Sequence, residues 1–177
     1  SLVVWIHGGG WRAGSKNSCY ISWLSQHGYT VASISYRFTD VAQFPAQLHD
    51  CKGAVRWLRA HAGEYGYQAG RIGISGASAG GHLAALAATL GDGPYERSGG
   101  WDGARSDIRA AISAAGPYEL NTLSWGNLWT PMEGNVEEQR RIASPIHQIT
   151  AATRPILVIH SDDDRSVPVQ QAHDMAA

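Results

Sequence analysis

Ser78 stands between two glycines, two positions from each, in the run "ISGASAGGHLA" at 74–84. A serine hydroxyl is a weak nucleophile until a neighbouring base takes its proton; it then attacks carbonyl carbon. Such a serine depends on where it is held. The apolar run "RIGIS" (71–75) precedes it, and Leu83, Leu86, Ala87 and Leu90 recur behind it at helical spacing. This pattern predicts a strand that turns sharply into a helix. Gly76 and Gly80 bring no Cβ to collide with so tight a backbone or with the elements beside it. The turn would lift the hydroxyl to the carboxyl edge of a sheet, where open α/β sheets bind ligands. It would also place it at a helix N-terminus, whose N–H groups favour developing negative charge. A helix-capping serine in a chance glycine pattern is the plainer alternative. The strand before it and the amphipathic helix after it favour the nucleophile elbow, Gly-x-Ser-x-Gly.

A second stretch supplies the electrostatic partner. "HGGGW" at 7–11 directly follows the apolar run "LVVWI". Attack on an ester produces a tetrahedral intermediate with a negatively charged oxygen, and each preorganised donor to that oxygen removes about 3–4 kcal/mol of barrier. A glycine-rich loop at a strand end, with the amide after the nucleophile, is the arrangement that does this. The expected donors are Gly9, Gly10 and Ala79, with His7 bracing the loop. A third stretch, "HSDDDRSVP" at 160–168, closes the last apolar run. An orienting acid belongs at such a strand end, after the serine in chain order. Asp164 is the expected acid, with Asp162 and Asp163 as turn or solvent residues. Three adjacent aspartates raise the thought of a metal. However, consecutive positions point different ways, whereas calcium loops alternate their ligands. No metal and no cofactor is expected.

The elements that must hold these groups follow from periodicity. The expected strands are 2–6, 30–36, 71–75, 108–116 and 154–160, and the expected helices are 17–27, one from Pro45 towards Gly63, one after Ser78 and one from near Val169. In the second of these helices Leu48, Cys51, Val55, Leu58 and Ala62 form one apolar stripe, and Trp57 lies among them. Strand and helix in alternation imply βαβ units, a mostly parallel sheet and helices on both faces. Two stretches break the rhythm. Residues 91–107 read as a surface loop. Residues 117–150, with Trp125, Trp129, Pro131 and Pro145, read as a short-helical insertion of the kind that often forms a lid.

Composition limits the remaining possibilities. The 177 residues are 44% hydrophobic and 16% charged, enough to build one domain with a core. A net charge of −1 without a basic run gives no footprint for nucleic acid. No apolar stretch reaches membrane-spanning length. Cys19 and Cys51 are too few for a disulfide framework and are expected as free thiols.

These motifs, in this order, together with "SISYRF" and "FPAQLHDCKGAVRWLRAHAGEYG", resemble the α/β-hydrolase superfamily. Within it the chain is most similar to carboxylesterases of the hormone-sensitive-lipase and feruloyl/acetylxylan-esterase type. The resemblance covers residues 3 to about 173. It implies an ester-cleaving serine hydrolase acting on a small-molecule substrate. It also selects Asp164, since the family pattern His-Gly-x-x-Asp-x-x-Val-Pro falls on His160 to Pro168 with Ser161 in place of the glycine. The family's catalytic histidine follows the acid after a further helix and strand. Here only His173 follows Asp164, on the very next helix, and it is too early to match. His82, one turn into the nucleophile helix, is expected to pack under the sheet edge or shape the pocket. The chain therefore reads as one incomplete hydrolase domain, lacking N-terminal strands and the segment that bears the histidine. An arylformamidase-like amidase or a serine peptidase on the same fold is the nearest alternative, and a non-catalytic hydrolase-fold binding protein a more distant one. Acyl group, compartment and oligomeric state are not set by the sequence.

Overall fold

The apolar runs pair into one parallel sheet. The computed structural model describes residues 1–93, 95, 99–128 and 134–177. Its strands are β1 Leu2–Ile6, β2 Thr30–Ile34, β3 Ile72–Ala77, β4 Ala111–Ala114 and β5 Ile156–Ile159. They lie in the order β2-β1-β3-β4-β5, with every neighbouring pair parallel. Parallel neighbours need long crossovers. Helix α1, Ala46–Ala60, carries the chain from β2 to β3, and α2, Ala79–Leu90, carries it from β3 to β4. The strand order reverses between β1 and β3. The crevice outside their carboxyl ends is therefore the switch point of the sheet, and the loop after β1 and the turn after β3 meet there.

Alternation along the strands gives the sheet two unlike faces. Leu2, Val4, Ile6, Ile72, Ile74 and Ala111 are buried and pack with Leu48, Cys51, Val55, Leu83 and Leu86 of α1 and α2. Helix α4, Gln170–Ala176, extends this layer, its Ala172 packing with Ala85 and Tyr118. On the other face, Trp5 is covered by the segment before β2. Its indole N–H donates to the Ser18 carbonyl at 2.7 Å, and its ring lies 5.5 Å from that of Tyr20. Towards β5 that face is open. Ile112, Leu157 and Ile159 are 37%, 56% and 52% exposed, and Ile112 sits beside Leu157 in the register.

Several boundaries differ from the sequence reading. The helix expected at 17–27 is only a 3-10 helix, Ser22–His27, with no buried residue. A short helix draws its stability from burying one face, and Tyr20 and Trp23 are instead exposed. The fourth strand shrinks to Ala111–Ala114, because Ala115 takes a left-handed φ of 50° and turns the chain. Within 117–150 lie two 3-10 turns, Leu120–Thr122 and Pro145–Gln148, and helix α3, Val136–Ala143. Asn135 caps α3 by accepting from the Glu138 amide at 3.2 Å. Trp129 and Pro131 lie outside the described residues. Cys19 and Cys51 are free.

Candidate functional site

Ser78 holds φ 53°, ψ −120°, a backbone conformation that L-residues rarely take. It is pinned from both sides. Its amide donates to the Ala114 carbonyl at 2.8 Å, and its carbonyl accepts from the His82 amide at 3.0 Å. The flanking glycines are required by close approach. A Cβ on Gly76 would overlap the carbonyl of Gly80, and one on Gly80 would overlap the carbonyl of Ile6. Both overlaps are with backbone, which has no room to yield.

The loop after β1 runs directly against this turn. A Cβ on Gly8 would sit 2.9 Å from the Ala77 carbonyl oxygen and 3.3 Å from Ser78 Cβ. Gly9, Gly10 and Trp11 follow with φ of 116°, 59° and 60°. Among the described residues the amides of Gly9 and Gly10 meet no backbone acceptor. Ala79 is the first residue of α2, so its amide has no intrahelical partner. The three expected donors thus belong to two segments in contact beside Ser78. His7 braces the loop, as expected. Its Nδ1–H donates to the Gly8 carbonyl at 2.7 Å, and its ring stacks on Tyr36 at 4.6 Å. Tyr36 donates its hydroxyl to the His7 carbonyl at 3.1 Å. Burial pushes the Tyr36 phenol up, so it stays protonated and remains a donor.

Asp164 is held by its own loop. Its Oδ1 accepts from the amides of Ser166 at 2.8 Å and Val167 at 2.9 Å. The Val167 amide, with that of Ser166, holds its carboxyl below the usual carboxylate range against a partial desolvation. His160 Nε2 donates to the Val167 carbonyl at 2.7 Å and lies 3.6 Å from Asp164 Oδ2. Asp162 and Asp163 are exposed. Ser78 follows β3 and Asp164 follows β5, with β4 between them. Two strand spacings put the strand ends that carry them about 10 Å apart.

Among the described residues no histidine side chain is hydrogen-bonded to Ser78. His82 is wholly buried and uses both ring nitrogens elsewhere. Its Nδ1 accepts the Trp11 indole N–H at 3.2 Å, and its Nε2 donates to the Ala143 carbonyl at 2.7 Å. Burial pushes its pKa down to about 4, so the ring is neutral. His173 is exposed on α4. Sequence reasoning assigned no contact to Trp11 or Trp125. The Trp125 indole donates to the Ser166 carbonyl at 2.8 Å, and its ring lies 5.9 Å from that of Trp11. It therefore joins the glycine loop to the acid loop across 114 and 41 positions of chain. No local pattern signals contacts at such separations. A groove of about 470 Å³, lined by Ile34, His49, Trp57 and Trp101 among others, runs along β2 and α1, at the other edge of the sheet from β5.

Comparison with known proteins gives the family and the fold. The family model described as BD-FAE matches residues 1–177. The chain is 34% identical to the probable carboxylic ester hydrolase LipM of Mycobacterium tuberculosis, over 97% of this chain and 43% of that protein. It is similar to the solved structure of a truncated form of a carbohydrate esterase from gut microbiota, with a TM-score of 0.90 and 27% identity, covering 99% of this chain and 71% of that one. Thermogutta terrifontis esterase 2 phosphoramylated by tabun is similar at a TM-score of 0.81 and 28% identity, covering 99% of this chain and 65% of that one. The chain spans less than half the length of the curated relative named here.

Proposed function

The chain belongs to the BD-FAE family, with the α/β-hydrolase fold of the esterases it matches, and on that premise we propose that it forms the nucleophile-bearing part of a serine carboxylesterase. Ser78 attacks the carbonyl carbon of a small ester. The amides of Gly9, Gly10 and Ala79 hold the oxyanion, the alcohol leaves, and water releases the acid from the acyl-enzyme. Asp164 orients the imidazole that takes the Ser78 proton and stabilises its cation. Among the described residues no histidine is hydrogen-bonded to Ser78, and the buried one beside the elbow is committed to Trp11 and Ala143, so this reading takes its imidazole from outside residues 1–177. The observation that carries this reading is the contact between the two segments. The glycine loop lies so close to the strained Ser78 turn that Gly8 has no space for a Cβ. The described parts of segment 117–150, which reach the glycine loop through Trp125 and the elbow helix through Ala143, serve as the wall of the acyl pocket. A short acyl group on a sugar or small alcohol is the favoured substrate, as the neighbour called a carbohydrate esterase suggests. An amidase or a peptidase is not favoured.

The test is made on the full-length protein. A fluorophosphonate probe is expected to label Ser78, and p-nitrophenyl acetate to be cleaved faster than long-chain esters. Organophosphate capture, as in esterase 2 phosphoramylated by tabun, is the behaviour expected of an activated nucleophile. Label at another residue, with activity intact in Ser78→Ala, would refute the assignment.

A further inference from the structure

Trp11 takes a conformation that a bulky residue seldom adopts, φ 60°, at the end of the glycine loop. Such strain persists only where the surroundings over-determine it. Here they do. The Trp11 carbonyl accepts from the Thr39 amide at 3.0 Å. Its ring is wholly buried and crosses the His82 ring at 82°, with the indole N–H donating to His82 Nδ1 at 3.2 Å. Gly126 makes room for it, since a Cβ there would lie 3.1 Å from the indole. His82 is anchored in its turn. It sits one helical turn from Ser78 on α2, and its Nε2–H donates at 2.7 Å to the carbonyl of Ala143, the last residue of α3.

We infer that Trp11 and His82 form a positioning pair that fixes the Gly9 and Gly10 amides on the oxyanion, with the Ala143 carbonyl setting the tautomer of His82. The inference rests on the carboxylesterase reading above. A carbonyl accepts only, so Nε2 must carry the proton, and the lone pair is left on Nδ1 for the indole. The other tautomer would set N–H against N–H at Trp11 and a lone pair against a carbonyl at Ala143. Burial keeps the ring unprotonated across the neutral range, which preserves this arrangement. Neither residue needs to touch substrate. The pair acts through the loop, and through Ala143 it ties the oxyanion donors to the segment proposed as the pocket wall.

The test uses substitutions that each cut one link. His82→Gln keeps a donor for Ala143 and removes the acceptor for Trp11. His82→Asn keeps an acceptor at the Nδ1 position and removes the donor for Ala143. Trp11→Phe removes the indole N–H. In the full-length protein, kcat and KM for p-nitrophenyl acetate, thermal unfolding and fluorophosphonate labelling are measured together. His82→Gln and Trp11→Phe are expected to lower kcat by about 10- to 100-fold, with KM within about 3-fold, because a misplaced donor is felt in the transition state. The double variant is expected to be no slower than the slower single variant, and His82→Asn to recover most of the turnover that His82→Gln loses. Unchanged kcat with only a lowered unfolding temperature would make the pair ordinary core and overturn the inference. Additive losses in the double variant would overturn it as well. If His82→Gln does not fold, Trp11→Phe decides alone, and an unchanged kcat there is fatal. A wild-type protein that neither turns over the ester nor takes the label defeats the carboxylesterase reading itself. A labelled, active wild type with unaffected variants defeats only the pair.

Discussion

Ser78 and Asp164 stand one strand apart on either side of β4, and they are held by opposite means. Around Ser78 backbone packs on backbone. Gly8, Gly76, Gly80 and Gly81 each face a carbonyl that a methyl group would strike, and the strain at Ser78 and Trp11 is locked by buried hydrogen bonds. Around Asp164 there is a local turn. The carboxylate gathers the two amides just ahead of it, in a loop whose other side chains at 161–166 are exposed. Beneath that loop, β5 shows alternate residues to solvent. The difference fits the roles proposed for the two groups. On the proposed function, an oxyanion site would work by not moving, and its donors would sit on a loop and a helix start packed against the ends of the two central strands β1 and β3. An orienting acid needs only the right charge at the right strand end, and a short turn supplies it.

The largest effect expected from this contrast separates folding from chemistry. Gly80→Ala drives a Cβ into the Ile6 carbonyl in the middle of the sheet, and neither backbone segment can move without unpacking α2 from β1. No folded protein is expected, or one destabilised by more than about 4 kcal/mol. Asp164→Asn should leave circular dichroism unchanged and lower the unfolding temperature only slightly, because the amide oxygen still accepts from Ser166 and Val167 and only the charge is lost. Turnover in the full-length protein should nonetheless fall by about 10⁴-fold, since the partner imidazole loses its orienting charge. A loss below tenfold would move the acid to another residue.

How much of this was legible in the sequence follows the same division. Ser78, its glycines, the "HGGGW" loop and Asp164 are local signals, each read from fewer than a dozen residues. The strand-helix rhythm set the parallel sheet, and the structure moved its element ends by one to three residues. The helix at 17–27 misled because its periodicity had nothing to pack on. The roles of Trp11, His82 and Trp125 were out of reach for a different reason. Their partners lie 71, 61 and 41 positions away, and a single sequence carries no pattern for such contacts.

A smaller effect should appear as pH dependence of stability, and it belongs to the rigid half. Buried His82 titrates near 4 when folded and near 6.5 when unfolded. The unfolded chain therefore takes up a proton between these values that the folded chain refuses. Stability is fully present above about pH 6.5 and is lost as pH falls towards 4, by up to about 3 kcal/mol. His49, also lowered by burial, adds in the same direction, so the measurement is a comparison with His82→Asn. Denaturant unfolding between pH 7 and pH 4.5 should show a shallower slope in that variant. Equal slopes would place the titration elsewhere. The Asp164 carboxyl, held below its usual range, contributes stability that fades only at lower pH, as it takes up its proton.

The smallest effect tests the open half, at Leu157 and Ile159. Both are more than half exposed, and with Ile112 they make one apolar strip across β4 and β5. A substitution at a truly solvent-facing position changes stability by no more than about 0.5 kcal/mol. The proposed function calls for a further segment that brings an imidazole to the gap beside Asp164, and the strip is the natural floor for it. In the full-length protein Leu157→Ser should therefore cost about 2 kcal/mol, the scale of uncovering a buried leucine. Ala152→Ser, at an exposed site before β5, should cost almost nothing. Denaturant midpoints of the two variants make the comparison. A Leu157→Ser cost as small as that of Ala152→Ser would mean that the strip stays open in the whole protein. The imidazole would then have to approach Asp164 from the loop side alone, and the contrast between a buried nucleophile half and an open acid half would be a property of the whole protein.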